Sequence, residues 1–437
     1  MKYLVVSSLL SWIFPTKSDR NEFRNFCKKI DNRKNELKIK KRYEKIVAKI
    51  KGYDRNKKIN VCFLCQDNAK WSYQSLYEYM EKSSYYNPVV LVSITQDLLK
   101  KKNRFLEYKK VLEDNYNFFS SRSMNVEYAF DIKKNKFIKL TKFEPDIVFY
   151  EQPWSLGREH SPEKVSEFAL TCHCSYGSSI AKITHELTMP FYKYLWRFFL
   201  DNYSIQKKYL ENNFQAISVP VCGQLKIDNY FKPLKNCPWK TKNKKRIIWA
   251  PHHSFFDESI LKYGTFDWNY EYFYEFAKKH QEYEFVLKPH PVIYKEIVRK
   301  GLMSLEKMNE YFSSWKELPN AQIIEGGDYF DLFRTSDILI TDCCSFLWEY
   351  LPTKKPVIHL INPKSIGYNE FGESLIKGYY PVLNVDEIEQ KMKDLLVDEK
   401  DELLSVREQI IDKFGIGTQS TAERIIGYIE EGISRGE

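Results

Sequence analysis

The stretch Ile338-Leu339-Ile340-Thr341-Asp342-Cys343-Cys344-Ser345-Phe346-Leu347-Trp348-Glu349-Tyr350 starts as an apolar run, passes through a small polar turn and continues with apolar residues at helical spacing. This is a strand, a tight turn and an amphipathic helix, the unit from which α/β folds are built. The turn leaves backbone N–H groups and the Ser345 hydroxyl at a helix start. Unpaired donors and the helix dipole make such an end a phosphate site. Ordinary capping of the first turn by Asp342 or Ser345 is the structural alternative, and the two coexist readily.

Working outward, strand-like runs recur at Arg246 to Ala250, Phe285 to Lys288, Ala321 to Ile324 and Pro356 to Leu360, each followed by a loop or helix. An earlier series covers Ile59 to Leu64, Pro88 to Ser93 and Asp146 to Tyr150, with helices expected at Gln74 to Lys82 and Ser161 to Leu170. Both series are the alternation of a mostly parallel sheet. A chain of 437 residues with 43% hydrophobic content exceeds one ordinary core and predicts two domains of about 200 residues each. The expected division is a basic amphipathic segment over 1–55, a Rossmann-like domain over 56–220 and a second over 221–437. The Lys-rich stretch Lys235 to Lys245 serves as linker or part of it. The segment Lys182 to Tyr209 reads as a long helix whose aromatic stripe is either core or a membrane-touching face.

Ligands of open parallel sheets collect at the carboxyl ends of the strands, and those positions are chemically loaded. Trp249-Ala250-Pro251-His252-His253-Ser254 ends one strand and Leu287-Lys288-Pro289-His290-Pro291 ends the next. Prolines on both sides of His290 stiffen the chain around a side chain suited to acid, base or phosphate-donor work. A single histidine beside a proline would read as a structural turn; two such strand ends with a lysine and a phosphate-type loop do not. A nucleophilic thiol at Cys343 or Cys344 lacks a paired base.

The formal charge of +10 asks for an anionic partner. Its densest part, from Lys17 to Lys51, follows the apolar stretch Tyr3 to Phe14, which is about half the length that spans a bilayer. The pair predicts an interfacial anchor on an anionic membrane surface, with a core-docked helix as the alternative. Pro15-Thr16-Lys17 lacks a small-residue cleavage site. Nine scattered cysteines, with Cys62 and Cys65 inside an apolar run, suit buried thiols in a reducing cytoplasm rather than disulfides or zinc. No nucleic-acid module accompanies the charge, so no nucleic-acid partner is expected.

Taken together, Gly223-Gln224-Leu225-Lys226-Ile227-Asp228, Trp249 to Ser254, Lys288 to Pro291 and Thr341 to Tyr350 resemble, in order and spacing, the donor half of the CDP-glycerol glycerophosphotransferases that build teichoic-acid-like and capsular polymers. Phe414-Gly415-Ile416-Gly417 with Ser420 and Arg424 is similar to that family's closing segment. The resemblance implies a GT-B-type α/β fold, with two Rossmann-like domains about a central cleft and a basic helical N-terminal extension. It implies a donor site of His252, His253, Ser254, Lys288, Thr341, Asp342, Cys344, Ser345 and Glu349, with His290 at the diphosphate. Asp342 reads as more structural than catalytic.

Two departures stand out. Cys344 replaces a serine hydroxyl of the family loop. The family's Trp-His-Gly element is missing from the first half, where Tyr150-Glu151-Gln152-Pro153-Trp154 stands instead. Glu151, at a strand end, is therefore the expected general base and His173 the second choice, ahead of His160 and His185. The implied chemistry is attack by a hydroxyl of a glycan, polyol-phosphate or lipid-linked acceptor on the β-phosphorus of CDP-glycerol, at the inner face of the cell membrane. With no Asp-x-Asp in the chain, no metal site and no required cofactor are expected, Mg²⁺ being admissible. The alternative is a sugar-nucleotide glycosyltransferase with a CMP-Kdo or UDP-sugar donor, since fold does not fix donor. A non-catalytic assembly protein is disfavoured by the strand-end His, Lys and Ser set.

Overall fold

The computed structural model describes residues 16–54, 56–100, 105–177, 180–182, 189–211, 218–235, 237–241 and 243–437. The apolar stretch Tyr3 to Phe14 and His185 lie outside them. After the helix α1 (Lys17–Lys51), the strands β1 (Ile59–Cys65), β2 (Tyr86–Val92), β3 (Val126–Tyr128), β4 (Ile147–Tyr150), β5 (Leu170–Cys174) and β6 (Arg197–Phe199) form one sheet. Its order is β3-β2-β1-β4-β5-β6, and every pairing is parallel. A second parallel sheet holds β7 (Lys245–Ala250), β8 (Tyr283–Leu287), β9 (Ala321–Ile323), β10 (Ile338–Thr341), β11 (Val357–Leu360) and β12 (Tyr380–Val382). Its order, β9-β8-β7-β10-β11-β12, repeats the first.

Each order reverses direction once, between β1 and β4 in the first sheet and between β7 and β10 in the second. A crevice opens at such a point because successive connections leave on opposite faces of the sheet. The strands are almost wholly buried, as helices cover both faces.

The two halves are tied together by chain that crosses twice. The segment through Leu225–Phe231 leaves the first sheet, and Lys232 pairs there with Glu78 of α2 (Gln74–Lys82) at 2.9 Å. At the far end the helix α3 (Thr421–Arg435) returns, burying Ala422, Ile425, Ile426 and Ile429 in the first sheet's core beside Ile39, Tyr43, Ile46, Val47 and Ile50 of α1. That spacing on α1 is one helical stripe, so this half of the helix is docked on the core. Lys38, Lys40, Lys41 and Lys45 lie exposed between the buried positions.

The long helix expected over Lys182 to Tyr209 does not form. Among its described residues the chain makes a tight turn at Pro190–Tyr194, strand β6 and a helix at Tyr203–Glu211. Phe191, Tyr192, Trp196, Phe198 and Phe199 are all buried, so core packing holds for this aromatic stripe. The helix expected over Ser161 to Leu170 shortens to Pro162–Val165, and Leu170 opens β5. The cysteines Cys62, Cys65, Cys172, Cys174 and Cys222 are buried free thiols.

Candidate active site

At the second reversal point, three imidazoles meet. His252 and His253 follow β7, His290 follows β8, and ring centroids are 4.3 Å (His252–His253), 4.2 Å (His253–His290) and 5.3 Å (His252–His290) apart. Proline at 251 and 289 fixes the chain where each loop leaves its strand. Asp342, following β10, ties the loops together. Its Oδ1 accepts from the His252 N–H at 2.6 Å, and its Oδ2 from the Thr265 N–H and hydroxyl at 2.6 and 2.7 Å. Burial pushes this carboxyl up to about 7. Thr341 clips the same turn, donating to the Ala250 carbonyl at 2.6 Å and accepting from the Cys343 N–H at 3.0 Å. Both residues hold the loops in place.

Ser254 fixes His252. Its Oγ accepts from the N–H groups of Tyr263 (3.0 Å) and Gly264 (3.4 Å), and its own N–H donates to His252 Nδ1 at 3.3 Å. The hydroxyl lies 2.7 Å from the same nitrogen and, with its lone pairs occupied, donates to it. At Gly264 a Cβ would meet Phe255 N at 2.6 Å and the His252 carbonyl at 2.8 Å, so only a hydrogen fits. His290 Nδ1 accepts from the Val292 N–H at 3.2 Å. With Nδ1 accepting, the neutral rings of His252 and His290 carry their proton on Nε2. Burial, with repulsion from His253 and Lys288, lowers His290 to about 4, and burial pulls His252 well below the usual imidazole range.

Nitrogens of the three rings lie within 4.8 Å of one another, close enough to share an ion. A metal-bound histidine donates from its second nitrogen, whereas here Nδ1 of two rings receives. Mg²⁺ takes oxygen ligands, and the cluster offers nitrogens. Neutral N–H donors beside an ammonium suit an anion.

That ammonium is Lys288, buried, with Nζ 3.3 Å from the Gly326 carbonyl and 5.0 Å from the Tyr329 ring centre. Burial lowers it to about 8. Below it Glu349, fully buried on the short helix Cys344–Glu349, accepts from Gln224 Nε2 at 3.2 Å, from Lys226 Nζ at 3.5 Å and from the Tyr329 hydroxyl. Ser345 is half-buried at the start of this helix; Cys344 is buried, its thiol pushed up to about 12 by burial. Lys226 was quoted in the sequence only as part of a motif. Tyr329 gave no signal there, because it enters from the loop after β9.

At the first reversal point stands Glu151, following β4. Its Oε1 accepts from the N–H groups of Gln66 and Asp67, after β1, at 2.5 and 2.8 Å. Its Oε2 is buried with no hydrogen-bond partner among the described residues. Burial lifts the carboxyl to about 7 against those two N–H bonds and the neighbouring Cys65 thiol. Gln152 and Lys70 lie close by, the lysine donating to Gln152 Oε1 at 2.6 Å.

His173 is not at a strand-end opening. Its ring packs against Phe191, Tyr192 and Phe198, its Nδ1 is 2.7 Å from the Tyr150 carbonyl, and burial lowers it to about 4. This is a core histidine, and it makes no hydrogen bond to Glu151 Oε2. His160 is likewise enclosed, held by the Ile138 carbonyl at 2.9 Å.

Two six-stranded parallel sheets of identical order define a GT-B-type α/β architecture. The same fold appears in the UDP-GlcNAc 2-epimerase of Neisseria meningitidis bound to UDP-GlcNAc, with a TM-score of 0.54 at 15% identity over 86% of this chain and 100% of that one. It appears again in the S. aureus MnaA structure with UDP, with a TM-score of 0.53 at 16% identity over 86% and 97%. Residues 193–364 match the family model described as CDP-Glycerol:Poly(glycerophosphate) glycerophosphotransferase, which bears out the resemblance read from the second half of the sequence. No curated protein matches the sequence.

Proposed function

We propose that this protein transfers glycerol phosphate from CDP-glycerol to a hydroxyl of a glycan or polyol-phosphate acceptor, in synthesis of a bacterial surface polymer of the capsule or teichoic-acid type. The observation that carries this reading is the family match, whose span includes His252, His253, Lys288, His290, Ser345 and Glu349. In it, the imidazole N–H groups and Lys288 hold the diphosphate and take up charge as CMP leaves. Glu151 Oε2, poised near neutral pH with its other oxygen already bonded, receives the proton of the attacking hydroxyl. The new bond forms between the acceptor oxygen and the β-phosphorus, and the bond from that phosphorus to the CMP oxygen breaks. The exposed lysines of α1 favour an anionic membrane surface on the cytoplasmic side. No helix among the described residues is long and apolar enough to cross a membrane.

The test is nucleotide release from CDP-glycerol, CDP-ribitol, CMP-Kdo and UDP-sugars with a crude membrane acceptor, beside His290→Ala. CMP from CDP-glycerol, dependent on His290 and matched by phosphodiester in the product, is the expected result. Turnover confined to a sugar nucleotide would overturn the proposal in favour of glycosyl transfer.

A further inference from the structure

The hydrogen bonds around the imidazole cluster treat its three members differently. The Nδ1 lone pairs of His252 and His290 are taken by N–H donors of Ser254 and Val292. The Nδ1 of His253 is buried and has no hydrogen-bond partner among the described residues. His253 is thus the ring whose protonation disturbs no existing bond, and its ring centre lies 4.3 Å from that of His252 and 4.2 Å from that of His290.

We propose that the cluster binds the donor's diphosphate together with a proton, taken up from solvent by His253. This rests on the donor reading above and adds to it the way the charge is matched.

A proton on His253 is opposed by burial, which holds the ring below the ordinary imidazole range. On its own loop lies the neutral ring of His252; from the loop after β8 come the neutral ring of His290 and the Lys288 ammonium, which repels charge on His290. From the helix Ile293–Arg299 comes Glu296, which favours charge on His253 while paired with Arg299. Asp342, after β10, has both oxygens occupied by backbone and hydroxyl donors. An arriving diphosphate adds negative charge on each phosphate at the open side of the rings. That charge reverses the balance at His253, and the ring becomes an imidazolium whose positive charge faces the phosphates.

Binding and proton uptake are then linked, so affinity rises as pH falls, by up to about tenfold per unit where the empty ring is neutral and the bound one charged. Isothermal titration of the full chain at pH 7.5 in two buffers of different ionisation enthalpy, Pipes and Tris, reads this directly. The probes are CDP-glycerol and UDP-GlcNAc, diphosphate diesters that do not titrate near neutral pH. The expected result is a buffer-dependent heat equal to uptake of about half to one proton with CDP-glycerol, absent in His253→Asn. Uptake with UDP-GlcNAc alone would sustain the coupling and sink the donor assignment. Binding of CDP-glycerol with no buffer dependence overturns the coupling and leaves the donor reading standing. So does uptake that survives in His253→Asn. Binding of neither overturns both. Stoichiometric Zn²⁺ retention lost in His253→Asn would show that the rings serve as ligands and would also overturn the proposal.

Discussion

Glu151 and Asp342 occupy the same station in their respective halves. Each follows the fourth strand of its domain and accepts backbone N–H groups from the loop after the first, and each is a buried carboxyl lifted to about 7. What separates them is occupancy, since Asp342 has both oxygens bonded and Glu151 keeps one without a partner among the described residues. Glu151→Gln is expected to lower kcat by about 10²–10⁴-fold and to remove a rise in rate with pH centred near 7. Because the folded carboxyl binds its proton more tightly than the unfolded one, its stability contribution is full below the ordinary carboxylate range and lost as pH rises through about 7. The Tm of wild type should therefore fall relative to Glu151→Gln between pH 5 and 8. Asp342→Ala strands two N–H groups and a hydroxyl and should cost about 3 kcal/mol, seen in urea unfolding. The strand-end histidines and Lys288 were legible in the sequence because proline and short apolar runs bracket them. Lys226 and Tyr329 were not, since each acquires its role from Glu349, which only the fold brings near, and Gly264 was not, since its close approach to Phe255 and His252 depends on how the loop doubles back.

At the level of elements, the turn that holds His252 depends on a close approach at Gly264. Gly264→Ala should displace the loop, weaken donor binding at least tenfold and leave far-ultraviolet circular dichroism largely unchanged. The Gly223 to Asp228 motif and the Ser420 to Arg424 segment, quoted separately from the sequence, turn out to be one feature. Asp228 accepts from the N–H groups of Thr421 and Ala422 at 2.7 and 2.9 Å, and so caps α3. Asp228→Ala is expected to cost about 1–2 kcal/mol by the loss of this cap, read as a lowered midpoint in denaturant. Five strands of the second sheet were placed almost residue for residue, as apolar runs bounded by turn residues, while the short edge strand β12 was not placed. In the first sheet the three-residue edge strand β3 was missed as well as β5 and β6; in the last two Leu170-Thr171-Cys172-His173-Cys174 mixes polar and apolar residues, and Arg197-Phe198-Phe199 sits in an aromatic run that imitates a helical stripe. Both are buried on two faces, so alternation gives no clue.

For the whole molecule, repetition of one strand order in both halves gives two reversal points, each with its own buried carboxyl and its own loops. The doubly wound class of each half was readable from alternating runs and helices. The return of α3 to the first half was not, because an amphipathic helix does not state which core its apolar face meets. Removing residues 421–435 takes Ala422, Ile425, Ile426 and Ile429 from the first core. At about 1.5–3 kcal/mol per large buried side chain, the loss approaches the net stability of an ordinary domain. The truncated chain should be insoluble or show no cooperative thermal transition.

The crossing of α3 also sets an order of events during synthesis. The first domain lacks part of its core until residues 421–435 exist, some 200 residues after its own last strand. At about 5–20 residues per second the interval is roughly 10–40 s. Through that time the second domain, whose sheet and covering helices are contiguous in the chain, can close while the first waits with an apolar face uncovered. The half made first is the half finished last.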